Sequence, residues 1–326
     1  MYQIVNCIDA GSEYCPCYLA ETNECIMCSQ LKGKVFCDCT NWEGVCIYQE
    51  YVFNQNRIKD RRKDYHCKVI EKEKIADGIF VLKIKVTSTL ARELDQPGTY
   101  VFMRDYKYPA LFETPMSIME ANVKEGTIKI AVQERGVKTK KLLELTEDVV
   151  LRGPYWNGLL GLKYIKSLQK GNALLVARGI GQAPALPVAK KLLQGKNKVF
   201  VILDKGRIDY NFVEDQFKSI GCQVVSKPVL NAKKLTIYEG TKDFIREFIV
   251  DNDISLLYSG GSDKFHEGLS GILRELKKNV FFTCSNDGIF CCGEGICGSC
   301  HRRLQDGTRI KTCKTQINPL EIFGRE

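Results

Sequence analysis

Cysteine crowds the two ends of this 326-residue chain and is nearly absent between them: of sixteen, eight lie between Cys7 and Cys46 and six between Cys284 and Cys313. Only Cys67 and Cys222 interrupt the long middle. Thiols grouped so closely are metal or cluster ligands in a reducing compartment and disulfide partners in an oxidising one. The N-terminus, MYQIVNCIDAGSEYC, has no basic stretch leading into an apolar one, so no secretory signal is read and a cytoplasmic location is expected. The middle must therefore fold by burying apolar surface, while the ends fold around metal.

At the C-terminal end the spacing is specific. CCGEGICGSCHRRLQDGTRIKTC places Cys292, Cys297 and Cys300 with four and two residues between them, then twelve residues before Cys313. This is the plant-type ligand spacing of a [2Fe-2S] cluster. Three thiolates from one tight loop have to reach two irons, and Gly293, Gly295 and Gly298 let the loop curl with its amides turned toward the sulfurs. Zinc is the alternative, although it favours paired C-x2-C knuckles. Cys284 and Cys291 are left over; Cys292, not Cys291, gives the four-residue interval.

The N-terminal cysteines follow no such pattern. Cys15, Cys17, Cys25 and Cys28, then Cys37, Cys39 and Cys46, occur in a stretch too short to bury a core of its own. Metal bonds would replace that core, so these residues are read as ligands of a second iron–sulfur cluster or of zinc. The alternative is reduced cysteines packed as small hydrophobes.

Between the ends the grammar changes once. HCKVIEKEKIADGIFVLKIKV reads as two strands around an Asp77-Gly78 turn, and GTYVFMRD, MSIMEA and GTIKIAVQE follow as short strands. This predicts an antiparallel barrel, with one helix starting in RGVKTKKLLEL and an exit loop at LRGPYWNGL. Beyond it, NALLVAR, KVFVILD, CQVVS, ISLLYSGG and VFFTCS alternate with amphipathic segments, which predicts a parallel sheet covered by helices. Gly179 and Gly181, between the first of these strands and its helix, form a turn that suits a dinucleotide pyrophosphate or simply the geometry of the fold. The expected class is α+β and multidomain: residues 1–50 Cys-rich and metal-binding, 51–64 a linker, 65–160 an antiparallel barrel, 161–283 a nucleotide-binding α/β domain, and 284–326 the cluster domain.

Several functions are excluded. The charge of +9 comes from scattered lysines without a nucleic-acid motif, and the one dense basic run, IKDRRKDYH, reads as a solvated linker. No apolar run approaches the roughly 18 residues of a membrane span. His66, His266 and His301 join no nucleophile or carboxylate pair, so hydrolysis has no support.

Barrel, glycine-turn sheet and C-terminal cluster, in that order, resemble the ferredoxin-reductase-like flavoproteins. Within them the chain is similar to the electron-transfer subunit of dihydroorotate dehydrogenase type B and to the small subunit of NADH-dependent ferredoxin:NADP oxidoreductase, over roughly residues 65–320. FETPMSI, ERGVKTKKL, LRGPYWNGL, VARGIGQAP and LLYSGGSDKFHEGL carry the resemblance. It implies FAD lined by Met116, Ser117 and Ile118, with its phosphates at Gly136 and Thr139. It also implies NAD(P)H at Gly179 and Gly181, with the nicotinamide ring near Ser259 and Gly260, and a second flavoprotein or iron–sulfur oxidoreductase subunit as partner. Thr139 reads equally as an ordinary helix cap.

The chain departs from the family at three places. Glu113 and Thr114 stand where the family has an arginine against the flavin pyrophosphate, Arg178 replaces a glycine of the nucleotide turn, and Ser259-Gly260-Gly261 replaces Cys-Gly-Pro. A carboxylate facing phosphate would repel it. Asp204 favours a ribose hydroxyl, whereas Lys205 and Arg207 favour a 2'-phosphate, so NAD against NADP stays open. An alternative function follows: an electron-relay and assembly module without its own nicotinamide oxidation.

Overall fold

The computed structural model describes residues 6–38, 44–145, 147–276, 278–304 and 306–323; Cys39 lies outside them. The alternation of apolar and charged residues before the Asp77-Gly78 turn produces the expected hairpin, Lys63–Ala76 against Ile79–Lys85, with Gly78 at a φ of +68°. Five more strands extend it into a seven-stranded antiparallel sheet. Their order is Thr114–Ser117, Tyr100–Asp105, Asp148–Tyr155, Lys63–Ala76, Ile79–Lys85, Thr127–Gln133 and Glu120–Asn122. Leu82, Ile84, Val101, Met103, Ile130 and Leu151 fill its inner face.

The expected barrel does not close. Its two edge strands are neighbours in sequence, and only Ile118 and Met119 pass between them, bonding to Thr99 O at 3.1 Å on one side and Lys129 O at 2.9 Å on the other. Among the described residues no ladder joins the two edge strands, and the sheet is a curled half-barrel. The helix Val137–Leu143 lies where expected. A second, Ser88–Leu94, was not read from the sequence, although the Thr87 side chain caps it by accepting the Leu90 N–H at 3.2 Å.

The second lobe is a six-stranded sheet in the order Gln223–Ser226, Lys198–Asp204, Asn172–Arg178, Leu256–Gly260, Phe281–Ser285, Leu159–Leu160. All pairs are parallel except the last, in which Cys284 faces Leu160. Residues 159–160, expected to end the barrel, thus edge the other sheet. The strand order reverses between Asn172–Arg178 and Leu256–Gly260, and in such sheets ligands bind beyond the strand ends at the reversal.

The ends of the chain meet. Asn6–Cys7 pairs antiparallel with Thr315–Gln316, Cys7 opposite Thr315. Beside this ribbon four charges are buried together: Arg62 reaches Asp9 at 2.8 Å and Glu294 at 3.0 Å, and Lys314 pairs with Asp9 and, at 2.9 Å, with Glu294. Arg62 is held between the rings of Tyr14 and Tyr155, 4.3 and 4.2 Å from their centroids. The linker expectation is corrected here. Helix Ile47–Phe53 crosses its start, the strand beginning at Lys63 takes its end, and Arg62, from the supposedly solvated basic run, is buried because two carboxylates and two rings surround it. Among the described residues no helix is long and apolar enough to cross a membrane.

Candidate functional site

The cluster loop owes its shape to glycine: Gly293, Gly295 and Gly298 have φ of +73°, +75° and +77°, a region other residues avoid. A Cβ on Gly293 would stand 2.5 Å from the Tyr155 ring, so the loop lies directly on the half-barrel. The Cys300 and Cys313 sulfurs are 3.2 Å apart, and the Cys292 thiol also contacts Cys313. Two sulfurs on one tetrahedral metal would sit roughly 3.7 Å apart given bonds near 2.3 Å. The Glu294 amide donates to Cys292 Sγ at 3.3 Å, joined by the amides of Cys297 and Ile296.

The Cys313 thiol, and then those amides, hold Cys292 down to about 4. Cys313 likewise brings Cys300 down to about 7. Cys313 itself, in contact with both thiols and buried, is pushed far up. Cys297, the fourth expected ligand, is exposed on the rim beside Cys291, 3.3 Å from the Ser299 hydroxyl. Among the described residues no three Cys, His, Asp or Glu side chains already meet around a common point as a metal requires. At the C-terminus the thiols form a chain of contacts rather than a ring. The donor set nevertheless suits iron: thiols only, with amides aimed at sulfur.

A buried aromatic cluster joins this loop to the half-barrel. Tyr100, Phe102, Tyr155 and Phe290 pack with Cys300 and Cys313, and Tyr100 stacks on Tyr155 at 5.0 Å. The Tyr100 hydroxyl is buried with no hydrogen-bond partner among the described residues.

At the expected flavin site the structure keeps some residues together and turns others away. Met116 and Ile118 pack into the half-barrel core, because strand alternation sends them inward; Ser117 is exposed between them. Thr139 Oγ accepts the amides of Arg135 at 2.8 Å and Gly136 at 3.1 Å, the cap of its own helix. Glu113 does not stand as a lone repelling charge. Arg152 binds it through two nitrogens at 3.0 and 2.7 Å, Arg104 lies 3.8 Å away, and Lys138 donates to its carbonyl at 3.1 Å. Two arginines thus flank this carboxylate with Lys138 on its backbone carbonyl; Arg104 also faces Asp64 at 3.6 Å, and its Nε is buried without a hydrogen-bond partner among the described residues. An excess of positive charge with an unused donor fits a pyrophosphate.

At the sheet reversal, Gly181 and Gly260 touch backbone to backbone: a Cβ on Gly181 would lie 2.6 Å from Gly260 O, and one on Gly260 2.7 Å from Gly181 O. Gly179 has a φ of +55°. Gln182, first in the following helix, keeps a buried Oε1 without a partner among the described residues. These features fit a dinucleotide laid across the turn. Asp204 is engaged within the fold: Oδ2 takes Arg178 at 3.1 Å and the amides of Val229 and Leu230 at 2.9 and 3.1 Å, and Oδ1 takes the amide of Gly206 at 2.9 Å.

His266 is buried between two serines. Its Nδ1 is 2.6 Å from Ser259 Oγ and its Nε2 3.4 Å from Ser285 Oγ, and burial lowers its pKa to about 3. The signal was present: His266 stands three and seven residues before the buried Leu269 and Leu273, on the apolar face of Asp263–Glu275.

No family model matches the chain. It is 23% identical over 261 residues to the electron transfer subunit of dihydroorotate dehydrogenase B (NAD(+)) of Clostridium perfringens, spanning 78% of this chain and 96% of that one. A homolog of the same subunit in Thermotoga maritima is 30% identical over 155 residues, 47% of this chain and 51% of that relative. The chain resembles the electron-transfer subunits of dihydroorotate dehydrogenase B. Its fold matches a solved NADH-dependent reduced ferredoxin-NADP oxidoreductase with a TM-score of 0.58 at 22% identity, over 79% of this chain and 93% of that one. An intact type IV self-sufficient cytochrome P450 monooxygenase matches 78% of this chain at a TM-score of 0.50. The resemblance read from the motifs and the match found along the chain therefore agree, and the half-barrel and sheet are those of a ferredoxin-reductase-like fold.

Proposed function

We propose that this chain is the electron-transfer subunit of an oxidoreductase complex, passing electrons between NAD(P)H, FAD and a [2Fe-2S] cluster to a partner flavoprotein or iron–sulfur subunit in the cytoplasm. The observation that carries this reading is the seating of the Cys300 and Cys313 thiols against the Tyr100, Phe102, Tyr155 and Phe290 rings of the half-barrel, with the Cys292 thiol in contact with Cys313. When bound, the flavin takes up hydride as an electron pair and releases electrons singly, which the cluster carries onward.

The chain's own residues supply position and charge. Cys292, Cys297, Cys300 and Cys313 hold the cluster, and the amides on Cys292 stabilise it. Arg104, Arg152 and Lys138 neutralise the flavin phosphates beside Gly136 and Thr139, with Ser117 open to the ring system. Gly179, Gly181 and Gln182 receive the nicotinamide nucleotide, and Ser259 and Gly260 stand at its reactive end. The aromatic cluster keeps water out between half-barrel and loop. Anaerobic purification with flavin and iron analysis, followed by NADH- or NADPH-driven reduction of an artificial acceptor, tests the reading. Flavin, iron and acceptor reduction are expected together.

A second reading, an electron relay without its own nicotinamide oxidation, is favoured by one observation. Arg178 takes the place of a family glycine, and its guanidinium lies over Gly206 while bonded to Asp204, beside the nucleotide turn. Flavin and iron without NADH or NADPH turnover would select it.

A further inference from the structure

The N-terminal segment contains thiols that the flavin and C-terminal cluster do not use. Cys7, Cys15, Cys17 and Cys25 line one small cavity of about 10 Å³, walled otherwise by Leu19, Ala20, Ile26, Met27 and Ile47 together with Asp9, Ala10 and Pro16. Cys7 was not among the residues expected to ligate. One backbone amide faces them: Cys28 N–H donates to Cys25 Sγ at 3.4 Å. A neutral thiol is a weak acceptor, and an amide aimed at sulfur suits a thiolate bound to metal. The carboxylate of Asp9 is already committed to Arg62 and Lys314, so the donors are sulfur alone, a set that selects iron–sulfur clusters or zinc.

The other expected ligands are placed elsewhere. Cys28 packs with Cys25, Ala20 and Leu31 but does not line the cavity, Cys37 is exposed, and Cys46 precedes the helix Ile47–Phe53 without lining the cavity. Position decides between the two metals. Ile8 N–H bonds to Lys314 O at 2.8 Å, joining the residue after Cys7 to the residue after Cys313. The two sulfur sites are therefore in backbone contact, and the charge knot of Asp9, Arg62, Glu294 and Lys314 locks them together. Zinc, with no redox chemistry, would make no use of that contact.

We propose that Cys7, Cys15, Cys17 and Cys25 ligate a second iron–sulfur cluster, docked on the [2Fe-2S] loop, which exchanges single electrons with it and forms the terminal through which the partner subunit is reached. The transfer makes and breaks no bond. This rests on the electron-transfer reading above.

The test is iron, zinc and acid-labile sulfide per chain, with paramagnetic resonance of the reduced protein, on the anaerobically purified full chain. Expected is more iron than the two atoms of a [2Fe-2S] cluster and a second paramagnetic species. Cys15→Ser and Cys25→Ser should remove that species and its iron while the [2Fe-2S] signal persists, whereas Cys28→Ser and Cys37→Ser should retain both. Wild-type protein with only the two irons of the [2Fe-2S] cluster, or with zinc in place of the extra iron, overturns the proposal but leaves the [2Fe-2S] reading standing. Loss of the second species in Cys28→Ser and not in Cys25→Ser overturns the ligand set. Absence of any [2Fe-2S] signal in wild type would instead overturn the electron-transfer reading.

Discussion

The two cysteine-rich ends are built by opposite means. The C-terminal loop takes three of its proposed ligands from nine consecutive residues, Cys292 to Cys300, with glycines at the three positions where the backbone turns left-handed. The N-terminal cavity takes its thiols from a strand, the approach to a short helix and the loop after it, and is held against the first site by a strand pair and four buried charges. One site carries its own scaffold, and its spacing is informative. The other borrows a scaffold from the rest of the molecule, and its spacing says little.

The largest effect expected from breaking this contrast is at the C-terminal loop. Cys300→Ser removes a ligand from a self-contained site and should abolish the [2Fe-2S] absorption and its reduced-state resonance completely. FAD should stay bound, since the cations around Glu113 are untouched. Retention of the signal would contradict the ligand assignment.

The borrowed scaffold is tested next. Asp9→Asn leaves Lys314 and Arg62, both almost wholly buried, short of one carboxylate. Breaking a buried ion pair from one side costs about 3 to 5 kcal/mol. The loss should appear as a lowered Tm and as proteolysis within the first fifty residues, in advance of damage to the two sheets. Burial opposes ionisation of Asp9, but Lys314 and Arg62 outweigh it and hold its carboxyl below the usual range. Its contribution is therefore present above the ordinary carboxylate pKa and lost as pH falls through the lowered value.

The same contrast explains what was legible in the sequence. Strands and helices of the second sheet followed from unbroken apolar runs, and the hairpin from Asp77-Gly78. The half-barrel's failure to close was not legible, because it depends on Ile118 and Met119 bonding to opposite edges rather than on the pattern of either strand. Glu113 looked like a repelling charge because Arg152, thirty-nine positions away, comes beside it only after folding. The buried roles of Arg62 and Cys7 were hidden for the same reason: their partners, Asp9, Glu294 and Thr315, are distant in sequence.

A smaller effect is expected at His266. Burial holds this ring neutral, with a pKa lowered to about 3, while the unfolded chain takes up a proton near 6.5. Stability from this residue is thus complete above pH 6.5 and falls as pH drops toward 3, by about 2 kcal/mol between pH 6.5 and 5. His266→Gln should flatten the pH dependence of Tm in that window. An unchanged slope would mean that other groups carry it.

The smallest concerns the flavin. Glu113→Gln frees Arg104 and Arg152 from their carboxylate and should tighten FAD by about 1 kcal/mol if both then serve the pyrophosphate. Weaker binding in a fluorescence titration would show that Glu113 positions the arginines instead of competing with phosphate.

The most direct measurement of the central claim is anaerobic titration of the purified full chain with NADH and with NADPH, followed by visible absorption and low-temperature paramagnetic resonance. Bleaching of a bound flavin together with the resonance of a reduced [2Fe-2S] cluster is the expected result with at least one of the two nucleotides. A chain that binds flavin and iron yet stays oxidised with both contradicts the nicotinamide-linked function, and a chain that carries neither contradicts electron transfer altogether.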